Sequence, residues 1–496
     1  MGAEEESDLS GEEIAQANRF IRLVGRNSDV YAALIQNAPL IARDIQSTYI
    51  PKTGELIESL LKFVSSGKAT RFDVLAKSFL LEGIDADTKT VATLESLRGR
   101  IVASFDGGQG SAMMGSVTPF LLRGVTYSVR IGDQTSDRES FEPSRFYLNR
   151  LTNGSLGTGQ DLLGAIQLLF ELKCVLKAIQ EKKFDYFLMH GPLVRSLGQY
   201  SNYQVSYRDV ESIFDDQLLF KEFQKDLEDR NKDVVIRKGS ETLKGDYPYF
   251  AAVSFVLRKL LETAEERRVI LCGVVERSRS TEVLQRVIFD NFDQLYKQNA
   301  SWFGKATGYS LESPQPLEKI RYTKKFIDNL GYTDPLLLGV MLQMGEYTEP
   351  IPGRANKSQS DNRELGLDTG FISGLEELTS IIPNYSFSYI RTSPFNLPFR
   401  VEFPAWLSPK DHEKIMASVF AFSQFLPRYA FPINLDTVDK LAKVPQWLSQ
   451  AMQGMILQEI YESKLKDAPQ GLDYSLLLGG KMRDWDLRPQ ARRRLV

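Results

Sequence analysis

The sequence contains very little cysteine or histidine. Its 496 residues include only two of each. Two cysteines cannot build a disulfide scaffold or a four-thiolate zinc site, and two histidines cannot build a histidine-rich metal centre. Cys174 and Cys272 both stand among apolar residues, so we expect them to be reduced and buried. Any metal site must therefore depend mainly on oxygen donors, which favours Mg²⁺ or Mn²⁺ over zinc.

Long apolar runs and an excess of one charge are also absent. No apolar run reaches the roughly 18 residues that a transmembrane helix needs. The opening residues, MGAEEESDLSGEE, are acidic where a secretory signal is basic, so we expect a cytoplasmic protein that does not enter a membrane. The net charge is −3, from 61 basic and 64 acidic residues. A polyanion would therefore have to bind at a local patch or through bound cations.

Several short catalytic motifs are missing. The sequence has no G-x-x-x-x-G-K-[ST] phosphate loop, so this chain is not itself a P-loop ATPase. It also has no G-x-G-x-x-G at a strand-to-helix junction, no G-x-S-x-G nucleophile elbow and no H-E-x-x-H helix. A function must be sought in residues that lie far apart in the chain.

The hydropathy pattern predicts three parts. Residues 1–97 carry apolar side chains at helical steps, which indicates a helical region that packs, dimerises or docks a partner. Residues 98–460 alternate predicted strands and helices and contain two polar insertions, at about 200–250 and 305–375. Residues 461–496 form an extension with a basic tail, expected to be solvated or to contact phosphate or an acidic partner.

The central part has the pattern of an α/β fold. Apolar runs at 101–105, 120–122 and 125–131, with glycine-rich residues after the first run, predict an antiparallel meander. A long helix over 158–182 leads into an apolar strand at 184–190, and a third such strand covers 268–275. Later segments predict a hairpin over 386–391 and 399–403 and helices over 409–425 and 437–443.

Polar side chains follow three of the apolar strands, namely Asp106, His190 and Glu276. The carboxyl ends of strands are where an α/β sheet presents functional groups. Local chemistry leaves Asp106 open as a metal ligand or as a turn carboxylate, and a lone histidine is often structural. Glu171 lies on a helix face of small and polar residues that could line a cavity or face solvent. His412 lies at a helix start that looks exposed.

Five segments resemble, in order, the motifs of the NurA nucleases. The first is IVASFDGG at 101–108, an apolar strand that ends in Asp-Gly. The second is FLMHGPLV at 187–194, and the third is VILCGVVERSRS at 269–280, a strand followed by a basic and serine-containing segment. The fourth is FRVEFP at 399–404, and the last covers 431–444, where a helix carries a polar metal-site residue.

The resemblance implies an RNase H-like mixed sheet flanked by helices and a metal site of four residues. In the family these are Asp, Glu, Asp and a late His. Carried over by motif, Asp106 and Glu171 take the first two places. His190 takes the third and Asp439 the last, so the aspartate and the histidine are exchanged here. Asp436, three residues earlier, is the competing choice for the last place.

The same resemblance implies a metal-dependent DNA nuclease. Mn²⁺ or Mg²⁺ held by the four residues would neutralise the scissile phosphate and activate a water, as in two-metal hydrolysis. The family usually acts on DNA ends as a homodimer with a HerA-type hexameric translocase, in repair or in defence against foreign DNA. Arginines expected to line the DNA channel are Arg123, Arg130, Arg277, Arg279, Arg391 and Arg400.

Two alternatives stay open. Losing a carboxylate between two metals could leave an inactive NurA-like subunit that binds DNA or regulates the ATPase. An RNase H-like hydrolase of RNA or of hybrids is the other. The sequence favours an active nuclease, because the aspartate missing from the third place is balanced by an aspartate at the last place.

Overall fold

A computed structural model gives the fold, and it places only part of the chain. The described residues are 28–49, 76–78, 80, 83–112, 114, 117–135, 138–152, 159–194, 204–236, 246–290, 293, 333–353, 384–426 and 429–462. The chain divides into two units. The first consists of Met1–Phe72, Arg286–Tyr309 and Lys325–Gly331, and the second of Asp73–Gln285, Ser310–Lys324 and Tyr332–Val496.

The described elements are numbered here in chain order. The strands are β1 (Ala76–Ser78), β2 (Ile101–Ser111), β3 (Val117–Arg130), β4 (Glu139–Phe141), β5 (Arg145–Thr152), β6 (Tyr186–His190), β7 (Gln204–Ser206), β8 (Asp246–Pro248), β9 (Ile270–Val275), β10 (Glu346–Thr348), β11 (Ile351–Pro352), β12 (Tyr385–Ile390) and β13 (Phe399–Pro404). The helices are α1 (Ser28–Asp44), α2 (Ala86–Ser96), α3 (Gly159–Glu181), α4 (Tyr207–Phe214), α5 (Gln217–Ile236), α6 (Tyr249–Glu266), α7 (Glu282–Asp290), α8 (Asp334–Met341), α9 (Pro409–Ser423), α10 (Ile433–Ala442) and α11 (Gln446–Glu462). In the first unit, α1 continues into a short π-helix, Ile45–Tyr49.

Among the described residues of the second unit, eleven strands form one mixed sheet. Its strand order is β1-β10-β12-β13-β9-β6-β2-β3-β4, with β11 added on β12 and β5 on β3. Strands β2, β6 and β9 are parallel to one another, whereas β3 and β13 flank them in the antiparallel direction. Strands β7 and β8 form a separate two-stranded ribbon.

The parallel strands lie at the centre of the sheet because they are apolar on both faces. Phe187, Leu188, Leu271 and Cys272 are all buried, as expected for parallel strands that helices cover on both sides. Along β2, successive side chains alternate between the two faces. Ser104 accepts a hydrogen bond from Asn434 of α10, whereas a Cβ at Gly107 would meet α3. Helices α10 and α3 therefore cover opposite faces.

This architecture confirms the predicted fold class. An antiparallel meander of β2, β3 and β5 precedes the parallel strands β6 and β9, and helices flank the mixed sheet, as in an RNase H-like core. The predicted helix over 158–182 is α3, and the predicted hairpin is β12 with β13. The two predicted strands at 120–122 and 125–131 are one continuous strand, β3, which starts at Val117. Its register with the whole of β2 explains the extra length.

The structure describes parts of the predicted N-terminal region and of the insertions. Helix α2, inside the predicted N-terminal region 1–97, belongs to the second unit and contacts α9. The described part of the 200–250 insertion contains β7, α4, α5 and β8. Residues 354–383 and the basic tail at 463–496 lie outside the described residues. No helix among the described ones has the length and apolarity needed to cross a bilayer.

The side chains of both cysteines and of His412 are buried. Cys174 and Cys272 are free thiols, as expected, and burial raises the pKa of each to about 12, so they stay protonated. The prediction of an exposed His412 is wrong, because this side chain is 3% exposed. His412 packs against the rings of Tyr347 and Phe403.

Candidate metal centre

Asp106, His190 and Asp439 meet where the parallel pairing of β2 with β6 stops. Each offers a ligand atom, and these atoms all lie within 4.8 Å of one another. His190 Nδ1 lies 3.0 Å from Asp106 Oδ2. We refer to these three residues as the acidic cluster. Within the described part of the chain, this is the one group of three or more such side chains close enough to share a metal ion.

Strand pairing brings the first two residues together. Phe105 of β2 pairs with Met189 of the parallel strand β6, so the next residue on each strand, Asp106 and His190, lies at the same edge. Strand β6 ends at His190. The Asp106 side chain projects to the face that α10 covers, because side chains two residues apart share a face and Ser104 contacts Asn434 there.

Helix α10 supplies the third residue. The bond from Asn434 Nδ2 to Ser104 Oγ, 2.6 Å long, fixes the first turn of the helix on β2. Gly108 lets its last turn approach the strand, since a Cβ at that position would lie 2.0 Å from the carbonyl oxygen of Ala442. Asp439 lies between these two contacts and therefore faces Asp106 in the middle of β2 and His190 at the end of β6.

The hydrogen bonds of α10 separate Asp439 from Asp436. Asp436 accepts hydrogen bonds from the Tyr429 hydroxyl and from Lys440 Nζ and lies outside the acidic cluster. Asp439 lies in the cluster and accepts a hydrogen bond from Lys443 Nζ at 2.6 Å. The geometry thus favours Asp439 over Asp436 as a ligand.

The electrostatics of the cluster centre on His190. Burial opposes the charged imidazolium, but the hydrogen bond that His190 donates to Asp106 and the charges of Asp106, Asp439 and Glu276 outweigh this effect and raise the pKa of His190. The ring also packs 5.3 Å from the ring of Phe431. Asp106 is 9% exposed and accepts a hydrogen bond from the Gly107 amide. The site is therefore partly buried and carries the negative charge of two carboxylates.

Glu171 approaches β2 beside Asp106, from the other face of the sheet. It is buried on α3, and a Cβ at Gly107 would lie 2.3 Å from its Oε1. Gln167 donates to Glu171 Oε1 and to the Gly107 carbonyl, which fixes the carboxylate beside the strand. Glu171 is not one of the three side chains that come within 4.8 Å of one another. It adjoins the acidic cluster through the backbone of β2.

Three of the expected DNA-channel arginines occupy other places. Arg400 is 5% exposed, pairs with Glu402 and Glu282, and lies 3.8 Å from the Phe387 ring centroid. Arg391 donates to backbone carbonyl groups, including that of Gly339. Both guanidinium groups are thus committed to internal contacts. Arg130 pairs with Ile101, the first residue of β2, away from Asp106 in the middle of the strand.

The other three arginines keep accessible positions. Arg123 stands opposite Gly108 in the β2–β3 register and donates to Ser144 Oγ. Arg277 and Arg279 are exposed in the segment after β9. Arg277 contacts Glu276 at 3.8 Å, and the charge of Glu276 acts on His190. These two arginines therefore lie on the segment that borders the acidic cluster.

The residues of the cluster fit a divalent cation. Protein ligands lie about 2.0–2.6 Å from Mg²⁺, Mn²⁺ or Ca²⁺, so donor atoms within 4.8 Å of each other can share one ion. Two carboxylates and one imidazole are donors that Mn²⁺ accepts, and the oxygen-rich set suits Mg²⁺ as well. Sequence reasoning missed Lys443 and Gln167 here. The i,i+4 spacing of Asp439 and Lys443 was the available signal for the first.

Fold and site together define an RNase H-like α/β protein in which side chains that could hold a metal lie where the central parallel strands β2 and β6 stop pairing. The sequence matches the NurA domain over residues 100–444, and the chain therefore belongs to the NurA family of nucleases. A search of curated protein sequences found no match.

Solved structures with a similar fold include NurA proteins. The NurA nuclease from Sulfolobus solfataricus matches with a TM-score of 0.44 and 12% identity, over 91% of this chain and 99% of that chain. A NurA structure with manganese matches with a TM-score of 0.33 and 11% identity, over 76% of this chain and 93% of that one. A third, NurA bound to dAMP and manganese, has a TM-score of 0.34 and 11% identity, over 79% and 94%.

Proposed function

We propose that this protein is a metal-dependent deoxyribonuclease that hydrolyses phosphodiester bonds at DNA ends, with Mn²⁺ or Mg²⁺ as cofactor. The observation that supports this most is the acidic cluster, in which Asp106, His190 and Asp439 come within 4.8 Å of one another in a member of the NurA family. In this proposal the three residues hold the cation, and Glu171 assists from the other side of β2.

The roles of the residues follow from their charges. A bound divalent cation would supply the positive charge that neutralises a scissile phosphate and lowers the pKa of a water molecule. Without a cation, Asp106 and Asp439 would repel DNA. The bound cation would remove this repulsion locally, so a chain of net charge −3 could still act on a polyanion. The hydrogen bond between Asp106 and His190 Nδ1 orients the imidazole ring in the site. Arg277 and Arg279 are the expected contacts to the DNA backbone.

We further propose that the nuclease works in the cytoplasm as a homodimer with a HerA-type hexameric ATPase, in DNA repair or in defence against foreign DNA. Family membership supports the partnership. The sequence also has no phosphate loop of its own, so ATP-driven movement along DNA would require a separate protein.

A nuclease assay with paired variants tests the activity. Linear double-stranded DNA, single-stranded DNA and RNA are incubated with Mn²⁺, Mg²⁺ or EDTA, with and without a HerA-type translocase. We expect metal-dependent degradation of DNA that Asp106→Ala and Asp439→Asn each reduce by roughly 100-fold. Asp436→Asn, one helical turn from Asp439, is the matched control and should stay within about 3-fold of the wild type.

The same assay separates the alternatives. His190 stands where the family has an aspartate, which favours the second candidate, an inactive subunit that binds DNA or regulates the ATPase. That candidate predicts DNA or ATPase binding that Asp106→Ala leaves intact, with no cleavage under any metal. Faster hydrolysis of RNA than of DNA would instead indicate a ribonuclease. Absence of cleavage with the translocase and either metal present would refute the proposed nuclease.

A further inference from the structure

Lys443 is placed at the acidic cluster by the end of α10. It is the residue that caps the helix, and its amide donates to the Asp439 carbonyl. Its Nζ donates to Asp439 Oδ2 at 2.6 Å, although 68% of the side chain is exposed. The charge of Asp106 also acts on this ammonium group. Lys443 therefore contacts the acidic cluster and is exposed to solvent at the same time.

The position of Lys443 is fixed by the backbone. A Cβ at Gly108 would lie 2.0 Å from the Ala442 carbonyl oxygen and 3.3 Å from the Cα of Lys443. Gly108 follows Asp106 by two residues on β2. The Lys443 backbone is thus held against the strand that carries Asp106, and the flexible stem alone can redirect the ammonium group.

Two cations compete for the same carboxylate. A metal ion bound in the cluster would take Asp439 as a ligand, and the ammonium of Lys443 would lose its partner. Exposed ion pairs contribute little to stability, so this exchange costs little. The phosphate of a DNA strand bound at the metal would then be a new partner for the released ammonium.

We propose that Lys443 is a phosphate-binding residue of the active centre, which exchanges Asp439 for a DNA phosphate when the metal binds. This proposal rests on the proposed nuclease function. It makes metal and DNA binding mutually favourable, because each removes one partner from the Asp439–Lys443 pair. Such coupling is reciprocal and can be measured from either side.

Lys440 provides a matched control on the same helix. It pairs with Asp436 at 2.5 Å with the same i,i+4 spacing, and 66% of its side chain is exposed. Asp436 lies outside the acidic cluster. Lys440 and Lys443 therefore share their spacing and exposure, but only Lys443 holds a carboxylate of the acidic cluster.

The test compares the wild type with Lys443→Met, Lys443→Arg and Lys440→Met. Methionine keeps the stem of the lysine and removes the charge. Mn²⁺ binding to the protein without DNA is measured by calorimetry. DNA binding is measured by fluorescence anisotropy with a labelled linear duplex, once in EDTA and once in Ca²⁺ with cleavage monitored on gels.

The expected results have opposite signs. Lys443→Met should bind Mn²⁺ about 2- to 5-fold more tightly, because a competitor for Asp439 is gone. The gain in DNA affinity from Ca²⁺ should fall by roughly 10-fold, and the salt dependence of binding should weaken by about one counterion. Lys443→Arg and Lys440→Met should both behave like the wild type.

Each contrary result has a definite meaning. If Lys443→Met keeps the full gain from Ca²⁺, or loses Mn²⁺ and DNA affinity together as a damaged site would, the role of Lys443 is refuted and the nuclease proposal stands. If the wild type binds no DNA with or without metal, both proposals fail. Unchanged melting temperatures show that every variant is folded.

Discussion

At the scale of single residues, an imidazole in place of a carboxylate makes the metal site sensitive to pH. A protonated His190 cannot bind a metal, so protons and cations compete for it. Asp106, Asp439 and Glu276 overcome the effect of burial and raise the pKa of His190 above the ordinary 6.5. The charges that attract a metal also attract the proton that excludes it.

We therefore expect Mn²⁺ affinity to be full at alkaline pH and to fall as the pH drops through the raised pKa of His190. In His190→Asp the competition should move to acidic pH, because a carboxyl group ordinarily titrates near pH 4. Calorimetric titration with Mn²⁺ between pH 5.5 and 8.5 measures the pH dependence of the affinity in the wild type and in His190→Asp. Superimposable profiles for the two proteins would contradict a role for His190 as a ligand.

The other histidine affects stability. His412 is buried and its Nε2 lies 2.9 Å from Ser388 Oγ. Burial lowers the pKa of His412 from 6.5 to about 4. The unfolded chain thus binds a proton at a pH where the folded protein does not, and stability is lost as the pH falls from 6.5 towards 4.

This loss should be on the order of 3 kcal/mol in the free energy of unfolding at pH 4, since one pKa unit corresponds to about 1.4 kcal/mol. His412→Gln removes the titrating group and keeps a polar side chain. Urea unfolding at pH 7.5 and pH 4.5 should show a smaller pH effect in the variant. An equal effect in both proteins would show that other groups cause the acid sensitivity.

At the scale of elements, the closeness of α10 and β2 decides the geometry of the cluster. Gly108→Ala would place a Cβ 2.0 Å from the Ala442 carbonyl oxygen, so the helix must move. We expect a loss of about 1–3 kcal/mol in the free energy of unfolding and weaker Mn²⁺ binding, because Asp439 moves with the helix. Urea unfolding and calorimetry measure the two effects.

Gly454→Ala is the control for that substitution. Gly454 lies inside α11 with no atom near its would-be Cβ, so alanine should stabilise the protein by about 0.5–1 kcal/mol. Mn²⁺ binding should not change. Equal Mn²⁺ affinity of Gly108→Ala and the wild type would show that α10 can shift without moving Asp439 out of the cluster.

Much of the element plan was predictable because local patterns determine it. The apolar run before His190 predicted β6, and the run before Asp106 predicted the first half of β2, which continues to Ser111. The carboxyl-end rule placed Asp106 and His190 close together. Packing was not predictable in the same way. The periodicity of α3 does not reveal that Glu171 reaches β2 from the face opposite α10. Nor does the sequence reveal that Arg400 is buried, because an arginine on a strand is ordinarily a surface residue.

At the scale of the whole molecule, the fold assembles its site from distant parts of the chain. Ser104 and Asn434, which join β2 to α10, are 330 positions apart. Composition carries no information on such contacts, and a net charge of −3 conceals a local concentration of acids at the acidic cluster. Only the tertiary structure shows where the charge is placed.

A buried ion pair on β13 contacts the segment that follows His190. Arg400 Nε donates to Glu402 Oε1 at 2.8 Å, and Glu402 Oε2 accepts from the Val194 amide at 2.9 Å, in the segment after His190. Arg400 also donates to Ser280 Oγ, two residues before α7. The pair thus connects β13, α7 and the segment that holds His190.

Arg400→Met should leave Glu402 buried without its cation and lower the free energy of unfolding by about 3–5 kcal/mol. The double variant Arg400→Met/Glu402→Gln removes both charges and should recover part of that loss, since glutamine can still accept from the Val194 amide. Urea unfolding of the two proteins measures the difference. A single variant as stable as the double one would mean that Glu402 carries no charge in the folded protein, and the connection from β13 to the His190 segment would then rest on neutral hydrogen bonds alone.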